Sequence, residues 1–284
     1  MKILLTGNGG FIGSHLMDSF LQEGHDIVGI DNFSTKNSSP GYVRNHSHII
    51  GKRFKHYVVD LRNEDALQEV IDLEGDIDVV CHQAAFGGVP QSLLDPAGYY
   101  RNNVMPLIHL IACLPKAKYI FASSSSTYGM LSPYALTKKA CEEYLEMSGV
   151  RYIVFRYFNV FGDRQLSGPV VAKMVKAKNN NEIVPLYGNA QRDFTYVKNV
   201  VSANNLALML LQDSKHKNFI CDIGCGAPTS VSDLAKLIGC KTIQESARDG
   251  DLPYSCAKTK DVIKLLGGVM PWSLKDGLRD MGVI

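Results

Sequence analysis

"KILLTGNGGFIGSH", Lys2 to His15, decides the fold. A short run of strand character leads into Gly7, Gly10 and Gly13 at G-x-x-G-x-x-G spacing, and an apolar helical pattern opens at Phe11. In that setting glycine permits a tight turn, lets a pyrophosphate approach the backbone and lets the helix pack closely on its strand. The helix N-terminus adds amides and a positive dipole for an anion. A glycine pattern alone is weak. Here the next strand, "DIVGI", ends at Asp31, eighteen residues beyond Gly13. A carboxylate there accepts hydrogen bonds from both adenosine ribose hydroxyls and repels a 2′-phosphate, which points to NAD rather than NADP.

Outward from this start, "FKHYVV", "IDVVCH", "KYIFAS" and "YIVFRY" continue the strand pattern. Amphipathic segments beginning near Phe11, Asn63, Asp95, Ser132 and Ser230 alternate with the strands. The βαβ alternation predicts an α/β fold, a Rossmann-type doubly wound parallel sheet covered on both faces. After about Gly162 the segments shorten and read as more loop-like, with "KNNNE" and "GCGAP" as polar turns. The expected division is an NAD-binding domain over 1–162, to which some later segments return, and a C-terminal lobe over 163–284. That lobe is expected to be a small α/β substrate-binding unit built around the first domain's strand ends.

Charge and cysteine usage narrow the function classes. Thirty basic residues balance 28 acidic ones, and a net charge of +2 gives no footprint for nucleic acid or an anionic membrane. Seven cysteines, odd in number and without a C-x-x-C pair, argue against a disulfide framework and a zinc ribbon. They read as reduced, mostly buried thiols. No apolar run reaches membrane-spanning length, and "MKILLTG" passes into a strand without a signal-peptide pattern, so the expected compartment is cytoplasmic. His82 closes a strand but has no suitably spaced second ligand, and it reads as structural rather than as part of a metal site.

The second decisive stretch is "FASSSSTYGMLSPYALTKKA", Phe121 to Ala140. Ser132 and Pro133 have the character of an N-cap and first helical residue, which sets Tyr134 and Lys138 one turn apart on one face. A phenol titrates near ~10, and bringing it to near ~7 takes about 4 kcal/mol. Lys138 and a positive nicotinamide ring are cations able to supply it. The serines fall at a strand's C-terminal end, where open α/β sheets bind ligands, and a hydroxyl there can relay a proton between substrate and Tyr134. An isolated Y-x-x-x-K would be a packed tyrosine and a solvated lysine. The glycine fingerprint upstream favours chemistry.

Over nearly its whole length the chain resembles the extended short-chain dehydrogenase/reductase superfamily, in its nucleotide-sugar epimerase/dehydratase branch. The resemblance rests on "TGNGGFIGSH", "DNFSTK", "VVDLRN", "HQAAFGGVPQSLLDP", "YYRNNV", "ASSSSTYG", "YALTK", "RYFNVFGDRQ", "YGNAQRDFTYV" and "RDGDLPYS". It implies catalysis by Ser124, Tyr134 and Lys138. It implies NAD contacts from Gly7, Gly10, Phe11, Ile12, Gly13, Asp31, Asn32, Ser34 and Thr35, with Asp60 and Leu61 bordering the adenine. Ala84 and Ala85 would lie at the pyrophosphate and ribose, Asn103 would support the cofactor strand, and Tyr157 and Phe158 would approach the nicotinamide. Gly88, Ser124, Ser125 and Ser126 would meet the sugar. Asn159, Arg192 and Arg248 would meet the diphosphate of a UDP-sugar, and Asp251 the nucleoside ribose.

The resemblance also bears on the reaction. Enzymes of this branch oxidise the sugar C4 hydroxyl with NAD; dehydratases then use Asp-Glu after the catalytic Ser/Thr, and decarboxylases a Glu. This chain has Ser125-Ser126. With no acid there, return of hydride to C4 from the opposite face, 4-epimerisation, is the expected outcome. "HQAAFGGVPQS" and "ASSSSTYG" are most similar to UDP-N-acetylglucosamine 4-epimerases, with UDP-glucuronate 4-epimerases as the nearest alternative. In these relatives the fourth residue after the Asp of R-x-G-D gates the sugar pocket, here Ser255. A small gate admits acetamido sugars, with UDP-Glc and UDP-Gal as further substrates. The resemblance further implies a homodimer packed through Asp95–Cys113 and Ser132–Met147, segments with Leu107, Leu110, Ile111, Ala140 and Tyr144 at helical spacing. Three features depart from the branch: only Met130 and Leu131 separate "YG" from "SPY", "GDRQLSGPVVAK" is trimmed, and Asp222 stands where relatives commonly have Asn. A silent NAD-binding sensor or scaffold is the non-enzymatic alternative.

Overall fold

The computed structural model describes residues 1–35, 38–44, 53–166, 168–215, 217–246, 253–260 and 272–284. Two compact units result, Met1–Phe155 with Asn204–Ile220, and Arg156–Ala203 with Cys221–Ile284. The first begins β1 (Lys2–Thr6), α1 (Phe11–Gln22), β2 (Asp26–Ile30), α2 (Pro40–Arg44), β3 (Phe54–Tyr57), α3 (Glu64–Glu74) and β4 (Val79–His82). It continues with α4 (Val89–Leu94), α5 (Pro96–Asn103), α6 (Met105–Cys113), β5 (Lys118–Ser124), α7 (Pro133–Met147) and β6 (Tyr152–Tyr157), whose last two residues belong to the second unit. Next come β7 (Val160–Phe161), α8 (Val170–Asn180), β8 (Ile183–Tyr187), β9 (Gln191–Arg192), β10 (Thr195–Tyr196) and α9 (Val197–Gln212). The chain closes with β11 (Phe219–Ile223), β12 (Thr229–Ser230), α10 (Val231–Ile238), β13 (Lys241–Glu245), β14 (Tyr254–Ser255) and α11 (Leu274–Asp280).

Seven strands form one sheet in the order β3-β2-β1-β4-β5-β6-β11. This is the doubly wound arrangement expected from sequence, with the order reversing between β1 and β4. β1 pairs in parallel with both β2 and β4, so Thr6 lies opposite Ile30 on one side and His82 on the other. Burial on both faces explains the continuous apolar strands: Ile3, Leu4, Leu5, Val79 and Val80 are all inaccessible.

Helix starts follow their capping residues. Asn63, Asp95, Ser132 and Ser230 each accept a backbone N–H with the side chain, opening α3, α5, α7 and α10 where the sequence places them. The expectation of loop-like structure beyond Gly162 is corrected by α8 and by α9, which runs for 16 residues. Lys178 to Asn180, read as part of a turn, are the last residues of α8, and Asn181 caps it at φ 57°. In α9, "VKNVVSANNLALMLLQ", three asparagines obscure the helical period. Burial of Val197, Val200, Ala203, Ala207, Leu208 and Leu211 outweighs their poor helix propensity. Leu107, Leu110 and Ile111, the helically spaced apolar residues of α6, are core residues of the first unit, packed with Leu67, Tyr119 and Leu145. The sheet claims that stripe first.

The seven cysteines are free, Cys81, Cys141 and Cys221 buried and the other four partly exposed. No helix among the described residues is long and apolar enough to cross a membrane.

Candidate active site

Gly7 adopts φ +72°, and a Cβ on Gly13 would lie 2.0 Å from the Gly7 carbonyl oxygen. The turn therefore closes directly on α1, and Phe11 and Ile12 are partly covered in its first turn. Gly10 caps α1 without any side-chain bond, leaving the helix entrance to an external acceptor. Asp31 ends the neighbouring strand edge; its Oδ2 accepts from Gly9 N (3.0 Å) and its Oδ1 from Phe33 N (2.8 Å). Burial pushes this carboxyl up and the two amides pull it down. A glycine turn closed on the helix, a helix N-terminus without a side-chain cap and an acid at the end of the adjacent strand, in contact with Gly9, fit the diphosphate and ribose of NAD.

Around that turn, Ser34 N donates to Asn32 Oδ1 (3.1 Å), and Thr35 Oγ1 lies 3.4 Å from Ser38 Oγ. Asp60 is forked by Arg62, at 2.6 Å from Nη2, and Leu61 is buried in the core. Ala84 N donates to Thr6 Oγ1 (3.2 Å), which is 2.7 Å from His82 Nδ1. His82 is thus tied to the flank of that turn, and burial pushes it down to about 3. Asn103 grips the backbone of Phe86 twice (2.7 and 3.1 Å) and reaches Thr137 Oγ1 at 3.0 Å, linking the segment after Ala85 to α7.

The catalytic candidates meet at the end of β5. Ser124 Oγ accepts from Ser126 N and lies 3.2 Å from Ser126 Oγ, while Ser125 opens the short 3₁₀ turn that follows. Ser124 also hydrogen-bonds to Tyr134. Lys138 Nζ donates to Ala122 O at 2.8 Å and sits 4.8 Å from the centroid of the Phe121 ring. Burial raises the Tyr134 phenol, and the Ser124 bond only partly offsets it. Burial likewise lowers Lys138 to about 8. In the protein alone the phenol is raised rather than lowered, because its own burial outweighs the Ser124 hydrogen bond. Tyr99 stacks edge-on to Tyr134 (6.3 Å between centroids) and donates to Gly87 O and Gly88 O, so one side chain braces the phenol and the exposed Gly88 turn.

Within the second unit, Tyr157 and Phe158 are buried at the end of β6. Asn159 holds φ +31°, and its Nδ2 donates to Asp193 O at 2.9 Å. Such backbone is costly for a non-glycine residue and concentrates at functional positions. Arg192 lies opposite Ser255 in the β9–β14 pair. Among the described residues Ser255 Oγ is buried without a hydrogen-bond partner, whereas Tyr254, one place earlier, is 55% exposed. Asp193 organises this strip: its carboxylate accepts from Cys225 N, Gly226 N and Ala257 N at 2.8 to 3.0 Å. Asp222 accepts from Lys258 N at 2.8 Å, so its carboxylate anchors the chain three residues past Ser255. Arg248 and Asp251 lie outside the described residues.

A model of the NAD dependent epimerase/dehydratase family matches residues 3–224. The chain belongs to that family. Several of its relatives are named as UDP-sugar 4-epimerases, with differing sugars. A Methanocaldococcus jannaschii protein provisionally named UDP-glucose 4-epimerase is 34% identical over 312 residues, covering 98% of this chain and 96% of the relative. A Bacillus cereus UDP-glucuronic acid 4-epimerase, solved with UDP-glucuronic acid and NAD, is 29% identical with a TM-score of 0.87 over 99% of this chain and 98% of the other. A UDP-N-acetylglucosamine 4-epimerase of Methanobrevibacter ruminantium M1, solved with UDP-N-acetylmuramic acid, is 28% identical with a TM-score of 0.83, covering 99% and 95%.

For a member of this epimerase family, the sequence motifs bring together the glycine turn, Asp31, the serines, Tyr134 and Lys138 within one unit. They did not single out Thr6, Tyr99, Ser123, Glu142 or Asp193. The one available signal was position: each abuts a motif residue in the sequence or lies a helical turn from one.

Proposed function

We propose that this chain is an NAD-dependent UDP-sugar 4-epimerase acting on UDP-GlcNAc and UDP-GalNAc, with some activity on UDP-Glc and UDP-Gal. The observation that carries the reaction type is the hydroxyl chain Tyr134–Ser124–Ser126, which has no carboxylate at the two positions after Ser124. Bound NAD supplies a hydride acceptor and returns the hydride. Tyr134 takes the 4-OH proton, directly or through Ser124, and gives it back on the other face once the planar 4-keto sugar has turned. Lys138 and Asp31 orient the two ribose groups. The diphosphate falls to Asn159, Arg192 and Arg248, and arginine's fork suits it.

Ser255 supports the acetamido reading. Its buried, unpaired hydroxyl is small enough to leave space for a C2 substituent and free to donate to an acetamido carbonyl. UDP-glucuronate is the competing substrate, supported by the same run of hydroxyls and by the B. cereus relative. The test is incubation of the purified protein with UDP-, dTDP- and GDP-sugars, followed by NMR of the products. C4 epimers of acetamido sugars are expected; dominant turnover of UDP-glucuronate replaces the substrate reading, and no turnover of any sugar leaves a cofactor-binding scaffold. Ser255→Tyr should lower acetamido turnover by roughly ten- to a hundredfold with plain hexoses spared. Equal loss on both removes Ser255 from the specificity.

A second copy of this chain is the proposed partner. Leu93, Leu94, Tyr100, Met105, Leu136 and Met147 are exposed apolar side chains on α4 to α7, with Leu94 at 87% and Met147 at 84%. Light scattering should report a dimer at micromolar concentration, and a monomer would count against it.

A further inference from the structure

Tyr134, Lys138 and Glu142 recur every four residues on α7, one above another along the helix. Glu142 is completely buried, and its Oε1 accepts from Ser123 Oγ at 2.5 Å. The residue before Ser123 is Ala122, whose carbonyl receives Lys138 Nζ at 2.8 Å. Two successive residues of β5 are thereby pinned to two successive turns of α7, immediately before Ser124. Burying a carboxylate is expensive, and a packed apolar residue would stabilise this interior at least as well. Retaining an acid there calls for another reason. One is supplied by Lys138, 3% exposed, whose charge the desolvated site disfavours.

Resting on the 4-epimerase reading, we propose that Glu142 is a positioning residue: through Ser123 it fixes the strand end that carries Ser124, and it is the buried counter-charge of Lys138. It touches neither sugar nor cofactor in this role. Other titratable groups face the same lysine: His82 from β4, and Tyr134 and Cys141 from α7. Burial pushes His82 down to about 3 and the Cys141 thiol up to about 12, while the Glu142 carboxyl acts on Lys138 to raise it against its burial. Around Glu142 itself, Lys139 Nζ stands 3.7 Å from Oε2 but also reaches Glu143 at 3.6 Å from a partly exposed position. That shared, solvated ammonium is not a substitute for the Lys138 partnership.

The test uses Glu142→Gln, which keeps the shape and the acceptor for Ser123 while deleting the charge. In the ligand-free protein, a ¹³Cε-lysine NMR titration, with the Lys138 signal assigned by its loss in Lys138→Met, should show Lys138 deprotonating at least about half a unit lower in Glu142→Gln than in wild type. Lys139→Met should leave it in place. With UDP-GlcNAc, kcat should fall roughly tenfold and its alkaline limb should move down by the same interval, while KM changes less than about twofold. A Lys138 titration unmoved by Glu142→Gln, or a loss confined to KM, overturns the inference. A wild-type protein that turns over no UDP-sugar overturns the epimerase reading instead, and the NMR titration still decides the role of Glu142. Should Glu142→Gln fail to fold, Ser123→Ala tests the tether: kcat is expected to drop several-fold with KM nearly unchanged, and an unchanged kcat removes it.

Discussion

Glu74 and Lys138 are both buried charges in the first unit, and their surroundings treat them oppositely. Glu74 receives Lys55 Nζ at 2.9 Å, Tyr57 OH at 2.5 Å and an ion pair with Lys2 at 3.0 Å, and these donors pull it down to about 2 against its burial. Lys138 donates to a neutral carbonyl and lies over an aromatic ring, and its burial outweighs the nearby Glu142 carboxyl and pulls it down to about 8. The satisfied cluster holds β1, β3 and α3 together. The Lys138 site is costly to the fold and therefore points to use, since strongly perturbed ionisable groups cluster at functional sites.

The largest effect should come from Tyr134→Phe. One oxygen is removed at the Lys138 site, so turnover should fall by the ~10² to 10⁴ typical of a general acid/base group, with the melting temperature nearly unchanged. Near-normal activity in a kinetic assay would break the assignment of proton transfer. Lys138→Met sharpens the comparison from the stability side. A lysine held at about 8 rather than about 10.5 costs the native state about 3 kcal/mol below pH 8, a cost relieved as pH rises from about 8 to 10.5. The ligand-free variant should therefore be inactive, and its stability relative to wild type should decline as pH rises from about 8 toward 10.5. A stability difference that does not change over that interval, by chemical denaturation, would mean that Lys138 is not held below its ordinary value.

The smallest effect belongs to the satisfied site. Because the folded carboxyl of Glu74 lies below its unfolded value near 4.5, its contribution is complete above about 4.5 and lost as pH falls from there toward about 2. Discounted for the exposure of Lys2 and Lys55, the contribution is about 1 to 2 kcal/mol. Glu74→Gln should lose that much at pH 7 and flatten the acid limb of the stability curve, while activity per folded molecule stays at wild type. An activity loss without a stability loss would reverse the two roles.

The sheet was legible in the sequence because its signals are local. Strands buried on both faces read as apolar runs, and Asn63, Asp95, Ser132 and Ser230 mark helix starts within one turn of themselves. The second unit was less so. β9, β10, β12 and β14 are two residues each, too short to carry a period, and α9 hides its stripe among Asn199, Asn204 and Asn205. Asn199 and Asn204 are fully buried, and Asn199 exchanges hydrogen bonds with the backbone of Trp272 at 2.8 and 3.2 Å, which a reading of propensity along the chain cannot foresee.

The sequence by itself determined the alternation of strands and helices through β6, the glycine turn with Asp31, and the residue types at Ser124, Tyr134 and Lys138, because spacing along a strand or helix converts directly into a shared face. Tertiary structure alone decided which of these groups are desolvated and what answers them. Leu107, Leu110 and Ile111 went to the core. Lys138 was drawn to a carbonyl of β5, and Glu142 was shut in beside Ser123. Burial and hydrogen-bond geometry depend on residues distant in the chain, and they set the charge each group carries at neutral pH.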